Sequence, residues 1–252
     1  MNANLPNVWR EVSAIAPVAP AEIQVWRVNL IPPPAEISRL EKFLTPDEIK
    51  LAAQFHFAHD QRRFVVRRAV LRQLLAANLG LRPEQIQIES AHFQKPQIAA
   101  VQNANNLRFN GSHSADWALI ALTQSREVGV DVEQRRHLPD AGELAKNYFS
   151  DCEIAEWNSL PEAARGEGFF NGWTRKEAYV KAIGLGLAYP LNQFSVSLSP
   201  GQPAVLRAVA NDSTALERWS LLDLTVAAGY SAALVLENRP AAVNYLQWRS
   251  GL

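Results

Sequence analysis

The sequence is poor in cysteine and carries no excess of charge of either sign. Cys152 is the one cysteine among 252 residues, which excludes an intramolecular disulfide and a zinc site built from several thiolates. A single thiol is typical of a reducing compartment. The 25 basic residues balance 25 acidic ones, which argues against binding of nucleic acid or anionic lipid through overall charge.

Long hydrophobic runs and common site signatures are also missing. The longest uncharged stretch, residues 183–206, contains Gly, Pro, Ser, Asn and Gln throughout and does not fit a membrane-spanning helix. The first 22 residues lack an early basic region, and Glu11, Pro17 and Pro20 interrupt their apolar residues, so we expect no signal peptide. No P-loop, G-x-G-x-x-G, H-E-x-x-H or C-x-x-C motif occurs. We expect a soluble, cytoplasmic protein with neither a membrane nor a nucleic-acid partner.

A repeated pattern predicts two related halves. Glu48 recurs as Glu153 and Phe64 as Phe169 at a spacing of 105, and Gly80-Leu81 recurs as Gly186-Leu187 at a spacing of 106. We expect a flexible arm over residues 1–20, an N-terminal α/β half over 21–124 and a C-terminal α/β half over 125–252. The predicted fold is mixed α/β (α+β), with two similar halves related by a pseudo-twofold axis. A functional cleft is most natural between the halves.

Two carboxylates alternate on a predicted strand in Gly-Val-Asp-Val-Glu. Asp131 and Glu133 project to the same face, because side chains at i and i+2 of a strand point the same way. Paired carboxylates repel unless a cation lies beside them, and hard oxygen ligands suit Mg²⁺. The alternative is an exposed strand face with two solvated acids.

A predicted helix over residues 169–183 places charges in its apolar stripe. Lys176 and Glu177 occupy positions where apolar residues are expected, and Lys181 lies one turn beyond Glu177. A surface Glu–Lys pair at i,i+4 explains Glu177 and Lys181 but leaves Lys176 without a reason. We therefore favour a polar cleft wall.

Two further segments suit anions. Ser112 and His113 stand in Phe-Asn-Gly-Ser-His-Ser, a predicted turn-rich junction, where they could donate to a phosphate or could simply cap a turn. The preceding helix, near residues 60–79, carries five arginines that form either a solvated face or an anion site. They are Arg62, Arg63, Arg67, Arg68 and Arg72.

Taken in order, three segments resemble the signature blocks of the Sfp-type 4′-phosphopantetheinyl transferases. They are FNGSHS (109–114), VGVDVE (128–133) and WTRKEAYVKAIGLGL (173–187). The third block is the most specific, and the resemblance extends over about residues 43–235. The chain length is similar to that of the long, two-half branch, whose members act as monomers.

The resemblance implies Mg²⁺-dependent transfer of phosphopantetheine from coenzyme A to a serine of an apo acyl or peptidyl carrier protein, with release of 3′,5′-ADP. It implies that Asp131, Glu133 and Glu177 hold the metal and that Glu177 and Lys181 are catalytic. The coenzyme A contacts that it implies are Arg63, Lys95, Ser112, His113, Asp131, Lys176 and Lys181. Glu48 and Leu51 stand where some relatives carry basic residues. A Mg²⁺-dependent phosphohydrolase of coenzyme A-like pyrophosphates and a nucleic-acid-binding module are the alternatives.

Overall fold

A computed structural model of the protein describes residues 7–89, 95–186, 189–239 and 242–252. Its helices are α1 (Pro34–Glu41), α2 (Pro46–Ala52), α3 (Ala58–Leu79), α4 (Ala141–Tyr148), α5 (Asp151–Ser159), α6 (Glu162–Ile183) and α7 (Ala215–Arg218). Its strands are β1 (Arg10–Glu11), β2 (Glu22–Asn29), β3 (Ile88–Glu89), β4 (Gln97–Ile98), β5 (Leu107–Ser114), β6 (Trp117–Gln124), β7 (Val128–Gln134), β8 (Phe194–Val196), β9 (Leu206–Val209), β10 (Trp219–Asp223), β11 (Tyr230–Glu237) and β12 (Ala242–Gln247). The predicted mixed α/β class is confirmed.

Two main sheets form the centre of the molecule. One has the order β1-β12-β2-β6-β5 and the other has the order β10-β11-β7. Apolar side chains from β2 and β6 pack against those of β7 and β11, so the sheets share a buried layer that includes Val25, Leu119, Val130 and Leu234. Each fully buried aliphatic side chain contributes about 1.5–3 kcal/mol. No helix in the described ranges has the length and apolar composition to cross a bilayer.

Each half also has a core of its own beneath a long helix. Helix α3 covers the first sheet with residues such as Val66, Val70 and Leu74. Helix α6 covers the second with residues such as Phe169 and Val180. The two helices thus lie on the outer faces, and the halves meet across the buried apolar layer between their sheets.

The repeated helix pair accounts for the internal sequence pattern. Thr45 and Glu48 form a capping box at α2, and Ser150 and Glu153 form one at α5. The helices that follow, α3 and α6, have 22 residues each. Both end at a left-handed glycine, Gly80 with φ 67° and Gly184 with φ 75°.

The glycine match differs from the sequence prediction. Gly184 is the counterpart of Gly80, because each glycine donates its backbone N–H to the carbonyl four residues earlier, at Val180 and Ala76. Gly186, which the sequence pattern paired with Gly80, lies beyond the helix end, and Leu187 lies outside the described residues. The offset along the chain between the two long helices is therefore one to two residues shorter than the offset between the matched sequence motifs.

The last strand, β12, belongs to the sheet of the first half, although the sequence prediction placed it in the second half. Strand β12 runs parallel to β2, with Val243 opposite Ile23 and Leu246 opposite Trp26. Residues 242–247 therefore complete the first sheet, and the boundary of 125–252 is corrected at this point. The correction could not be foreseen, because strand pairing between distant segments leaves no local signal.

The described part of the predicted N-terminal arm contacts the rest of the molecule, and its flexibility stays a prediction. Strand β1 pairs with β12, and Trp9 Nε1 donates to the Thr225 carbonyl over 2.6 Å. The Arg27 guanidinium lies 5.0 Å from the Trp9 ring and 4.9 Å from the Trp117 ring. The cation–π contact with Arg27 ties the arm to the first half, and the hydrogen bond to Thr225 ties it to the second.

Candidate active site

The carboxylates of β7 face β5 across the line where the halves meet. Ser112 Oγ donates to Asp131 Oδ1 over 2.7 Å, and Ser114 Oγ donates to Glu133 Oε2 over 2.7 Å. The serines follow the same i, i+2 alternation as the acids, which confirms that Asp131 and Glu133 share a face. Ser114 was missed in the sequence, although its position two residues after Ser112 was a usable signal.

Helix α6 brings a lysine to the same carboxylate. Lys181 Nζ donates to Asp131 Oδ1 over 2.6 Å and to Ser112 Oγ over 3.1 Å. Asp131 is 2% exposed, and its second oxygen, Oδ2, is buried without a hydrogen-bond partner among the described residues. Such an oxygen is costly unless a ligand completes it.

A glycine allows the helix to approach so closely. A Cβ atom on Gly129 would lie 2.0 Å from the Ala178 carbonyl oxygen and 2.4 Å from the Ala182 nitrogen, both backbone atoms of α6. Only a residue without a side chain therefore fits at this point of β7. The close contact places Lys181 within reach of Asp131.

Glu177 belongs to the same group of charges. Burial raises its pKa, the negative charges of Asp131 and Glu133 raise it further, and the Lys181 ammonium opposes them. Burial likewise raises the pKa of Glu133; the Ser114 hydroxyl acts against this shift, and the charge of Asp131 adds to it. Three carboxylates therefore influence one another beside one lysine.

The position of Lys176 contradicts its predicted contact with phosphates. Its Nζ lies 2.8 Å from Glu153 Oε2 and donates to the carbonyls of Leu191 and Phe194, and its side chain is 0% exposed. Burial lowers the pKa of the ammonium, and the charge of Glu153 opposes that shift. Lys176 thus faces the core of its own half, whereas Glu177, the next residue, lies close enough to Asp131, Glu133 and Lys181 for their charges to shift its pKa.

Ser112 and His113 lie on a strand and not in the turn that the sequence predicted. The whole segment 109–114 belongs to β5, and the turn follows at Ala115, whose φ is 46°. The two side chains therefore point to opposite faces, with Ser112 buried and His113 exposed. Desolvation, followed by the charges of Arg67, Lys181 and Arg63, lowers the pKa of His113 to about 4.

The two other predicted contacts are bound to acids. Arg63 Nη2 lies 2.6 Å from Asp116 Oδ1. Lys95 Nζ lies 2.9 Å from Glu127 Oε2 and donates to the Val128 carbonyl over 2.7 Å. Arg63 remains close enough to lower the pKa of His113, whereas Lys95 joins the halves at the start of β7.

Glu48, which stands where some relatives carry a basic residue, stabilises the fold of the first half. Its carboxylate is buried and accepts from Arg72 Nε over 2.6 Å and from Arg68. These arginines hold the pKa of Glu48 below its usual value against the effect of burial, which would raise it. Leu51 is 46% exposed. A basic residue at position 48 would leave both arginines facing a like charge.

The donor set fits a divalent metal ion. Within the described ranges, no three His, Cys, Asp or Glu side chains are already grouped as a metal cluster. Asp131 Oδ2 nevertheless lacks a partner among the described residues, the charge of Asp131 raises the pKa of both Glu133 and Glu177, and the charge of Glu133 raises that of Glu177 further. Hard oxygen donors with unbalanced negative charge are the surroundings that Mg²⁺ prefers.

Comparison with known proteins gives a consistent result. A family model described as "4′-phosphopantetheinyl transferase superfamily" matches residues 127–235, and one described as "4′-phosphopantetheinyl transferase, N-terminal" matches residues 28–125. The chain is 36% identical to the 4′-phosphopantetheinyl transferase HetI of Nostoc sp. over 81% of this chain and 82% of that protein. It is 29% identical to the 4′-phosphopantetheinyl transferase psf-1 of Bacillus pumilus, over 84% and 86% of the two chains. It is 28% identical to the 4′-phosphopantetheinyl transferase Sfp of Bacillus subtilis, over 65% and 70%.

Proposed function

Because this chain belongs to the 4′-phosphopantetheinyl transferase superfamily, we propose that it transfers 4′-phosphopantetheine from coenzyme A to a serine of an apo acyl or peptidyl carrier protein. The observation that carries this proposal is the meeting of Lys181, Asp131 and Ser112 beside Glu177, where the two halves join. We propose a cytoplasmic enzyme that acts as a monomer, and the supply of this site by both halves of one chain supports the monomeric state.

The carboxylates are the proposed metal ligands. Asp131, Glu133 and Glu177 would hold Mg²⁺. The Oδ2 atom of Asp131, which is buried without a hydrogen-bond partner among the described residues, would gain a ligand in this way. A bound Mg²⁺ neutralises charge on the pyrophosphate oxygens of coenzyme A. Lys181 then has two contributions, because its ammonium holds Asp131 in place and adds a positive charge beside the phosphates.

Glu177 is the proposed general base. The carrier serine oxygen attacks the phosphorus that bears pantetheine, its proton passes to the Glu177 carboxylate, and the bond to the bridging oxygen breaks. The leaving group is 3′,5′-ADP, and the new bond is a serine phosphodiester. A carboxylate whose pKa is raised by burial and by neighbouring acids holds a transferred proton better than an ordinary one.

The test is a carrier panel. The purified protein is incubated with coenzyme A, Mg²⁺ and apo carriers from fatty acid, polyketide, nonribosomal peptide and lysine pathways, and each carrier is then weighed by mass spectrometry. We expect a mass gain of one phosphopantetheine group on at least one carrier, and none on a carrier whose acceptor serine is replaced by alanine. Release of 3′,5′-ADP without any carrier would instead indicate a phosphohydrolase, and no product at all would overturn the proposal.

A further inference from the structure

The two carboxylates of β7 are held unequally. Asp131 Oδ1 accepts a hydrogen bond from Ser112 Oγ over 2.7 Å and another from Lys181 Nζ over 2.6 Å. The carboxylate of Glu133 accepts one hydrogen bond from the described part of the chain, which Ser114 Oγ donates to Oε2 over 2.7 Å. The orientation of the Glu133 side chain therefore depends on this single hydroxyl.

The Ser114 hydroxyl is fixed at both of its ends. A hydroxyl has one donor and can accept as well. Ser114 Oγ accepts from the backbone N–H of Gln134 over 3.1 Å, and it gives its own proton to Glu133. The same oxygen thus holds the side chain of Glu133 and the backbone of the residue that follows it, so the carboxylate cannot turn away without breaking a contact that is anchored on its own strand.

The end of β5 that carries Ser114 is itself well anchored in the first half. Ser114 is the last residue of this strand and pairs with Trp117 across the turn. In that turn, the Asp116 carbonyl accepts from the Leu30 N–H over 2.8 Å, and the Asp116 carboxylate lies 2.6 Å from Arg63 Nη2. A carboxylate of the second half therefore takes its position from a rigid element of the first half.

A glutamate gains more from such a contact than an aspartate does. Its longer side chain has more rotamers to lose when it binds a metal ion, and a hydrogen bond that orders it beforehand lowers this cost. Hydrogen bonds to ligating carboxylates tune metal affinity in the same way. Resting on the proposed function, we infer that Ser114 is a positioning residue that orders Glu133 for the metal ion and thereby sets the affinity of the enzyme for Mg²⁺.

The neighbouring strand provides a matched control. Ser231 of β11 lies opposite Glu133 in the register, so Glu133 has a serine on either side of it. The Ser231 hydroxyl donates to Asn171 Oδ1 over 2.9 Å and not to the carboxylate. Removal of this hydroxyl makes the same chemical change beside Glu133 without removing the contact that orders it.

The first experiment measures Mg²⁺ binding, so that it does not depend on turnover. Isothermal titration of Mg²⁺ into protein that contains 3′,5′-ADP compares the wild type with Ser114→Ala, Ser114→Thr, Ser114→Val and Ser231→Ala. Loss of a hydrogen bond that orients a metal ligand weakens metal affinity about 10- to 100-fold. We expect this loss in Ser114→Ala and Ser114→Val. Ser114→Thr, which keeps the hydroxyl, and Ser231→Ala should both stay near the wild-type affinity.

The second experiment measures transfer as a function of Mg²⁺ concentration. Ser114→Ala should need about 10- to 100-fold more Mg²⁺ for half-maximal transfer and should approach the wild-type kcat when Mg²⁺ saturates. A purely structural role would lower stability, which urea denaturation measures, without changing the Mg²⁺ requirement.

The outcomes separate this inference from the proposed function. Equal Mg²⁺ affinities in Ser114→Ala and Ser231→Ala, or no Mg²⁺ binding by the wild type, would overturn the inference. Circular dichroism verifies folding, and if Ser114→Ala does not fold, equal affinities in Ser114→Thr and Ser114→Val would overturn it instead. Absence of transfer to any carrier, together with the expected differences in Mg²⁺ affinity, would overturn only the proposed function.

Discussion

Lys176 and Glu153 form an ion pair of 2.8 Å in which neither side chain is exposed. The first half contains the equivalent contact, because Arg72 of α3 binds Glu48, which is the capping-box residue of α2 as Glu153 is of α5. In both halves a basic residue of the long helix thus fixes the short helix that precedes it. The duplicated position has a structural role in each half, and the adjacent position, Glu177, reaches the site only in the second.

Replacing Lys176 should therefore reduce stability and leave nucleotide affinity intact. Lys176→Met leaves the Glu153 carboxylate buried without its cation, and we expect the free energy of unfolding to fall by about 3–5 kcal/mol. Urea denaturation measures this change, and Lys146→Met, at an exposed position of α4, should stay within about 0.5 kcal/mol of wild type. Unchanged stability together with a large rise in the KM for coenzyme A would restore Lys176 to the phosphate site.

The error over Lys176 shows what sequence periodicity can and cannot resolve. Adjacent residues of a helix point about 100° apart, and α6 packs on β7 and β11 and also contacts α4, α5 and β8. Lys176 and Glu177 both interrupt the apolar stripe, so the pattern correctly indicates that each has a charged partner. The partner of Lys176 is Glu153, and the carboxylate nearest in effect to Glu177 is Asp131. Both partners are distant from the helix in sequence, so the pattern cannot assign them.

The strand residues were easier to predict than the helix residues. Alternation alone places Asp131 and Glu133 on one face, and the contacts with Ser112 and Ser114 follow from the same rule on β5. The sequence could not predict that β12 pairs within the first sheet, nor that Arg63 and Lys95 form ion pairs. Each of these contacts joins segments that share no local sequence pattern.

Substitution of Glu177 should abolish transfer in a folded protein. Glu177→Gln keeps the size of the side chain and removes the proposed base and metal ligand, so we expect kcat to fall about 10²- to 10⁴-fold. Glu162→Gln changes an exposed residue at the start of the same helix and should transfer at the wild-type rate. Rapid transfer by Glu177→Gln would remove the residue from the mechanism.

Asp131→Ala should have an equally large effect on activity through a different route. The change removes the carboxylate that Lys181 and Ser112 both contact and the oxygen proposed for Mg²⁺. We expect transfer to become undetectable, and isothermal titration with Mg²⁺ and 3′,5′-ADP should show loss of the metal dependence of binding. Metal-dependent binding that persists in Asp131→Ala would exclude it as a ligand.

Gly129→Ala tests whether close packing of α6 on β7 positions the site. The added methyl would lie 2.0 Å from the Ala178 oxygen, and since this is a backbone atom, the helix must move. We expect a loss of about 1–3 kcal/mol or more in unfolding free energy and a lower kcat through displacement of Lys181. Gly166→Ala is the matched control, because a Cβ there meets nothing within 4 Å and should stabilise the same helix by about 0.4–1 kcal/mol. Equal stabilities of the two variants would contradict the packing argument.

The titration of His113 reports directly on whether an anion binds beside it. In the free protein its pKa of about 4 means that the imidazole is neutral at pH 6, where an ordinary histidine is largely protonated. A bound phosphate favours the imidazolium, so 3′,5′-ADP should raise this pKa, and ring resonances assigned with His113→Asn follow the change by NMR. Because the folded pKa lies below the unfolded value of about 6.5, the unfolded chain binds the proton more readily between these pH values, and stability falls as the pH drops through that window. His113→Asn should lose less stability over the same interval. A pKa near 6.5 in the free protein, or one that 3′,5′-ADP leaves in place, would show that the cations around His113 do not form the nucleotide site.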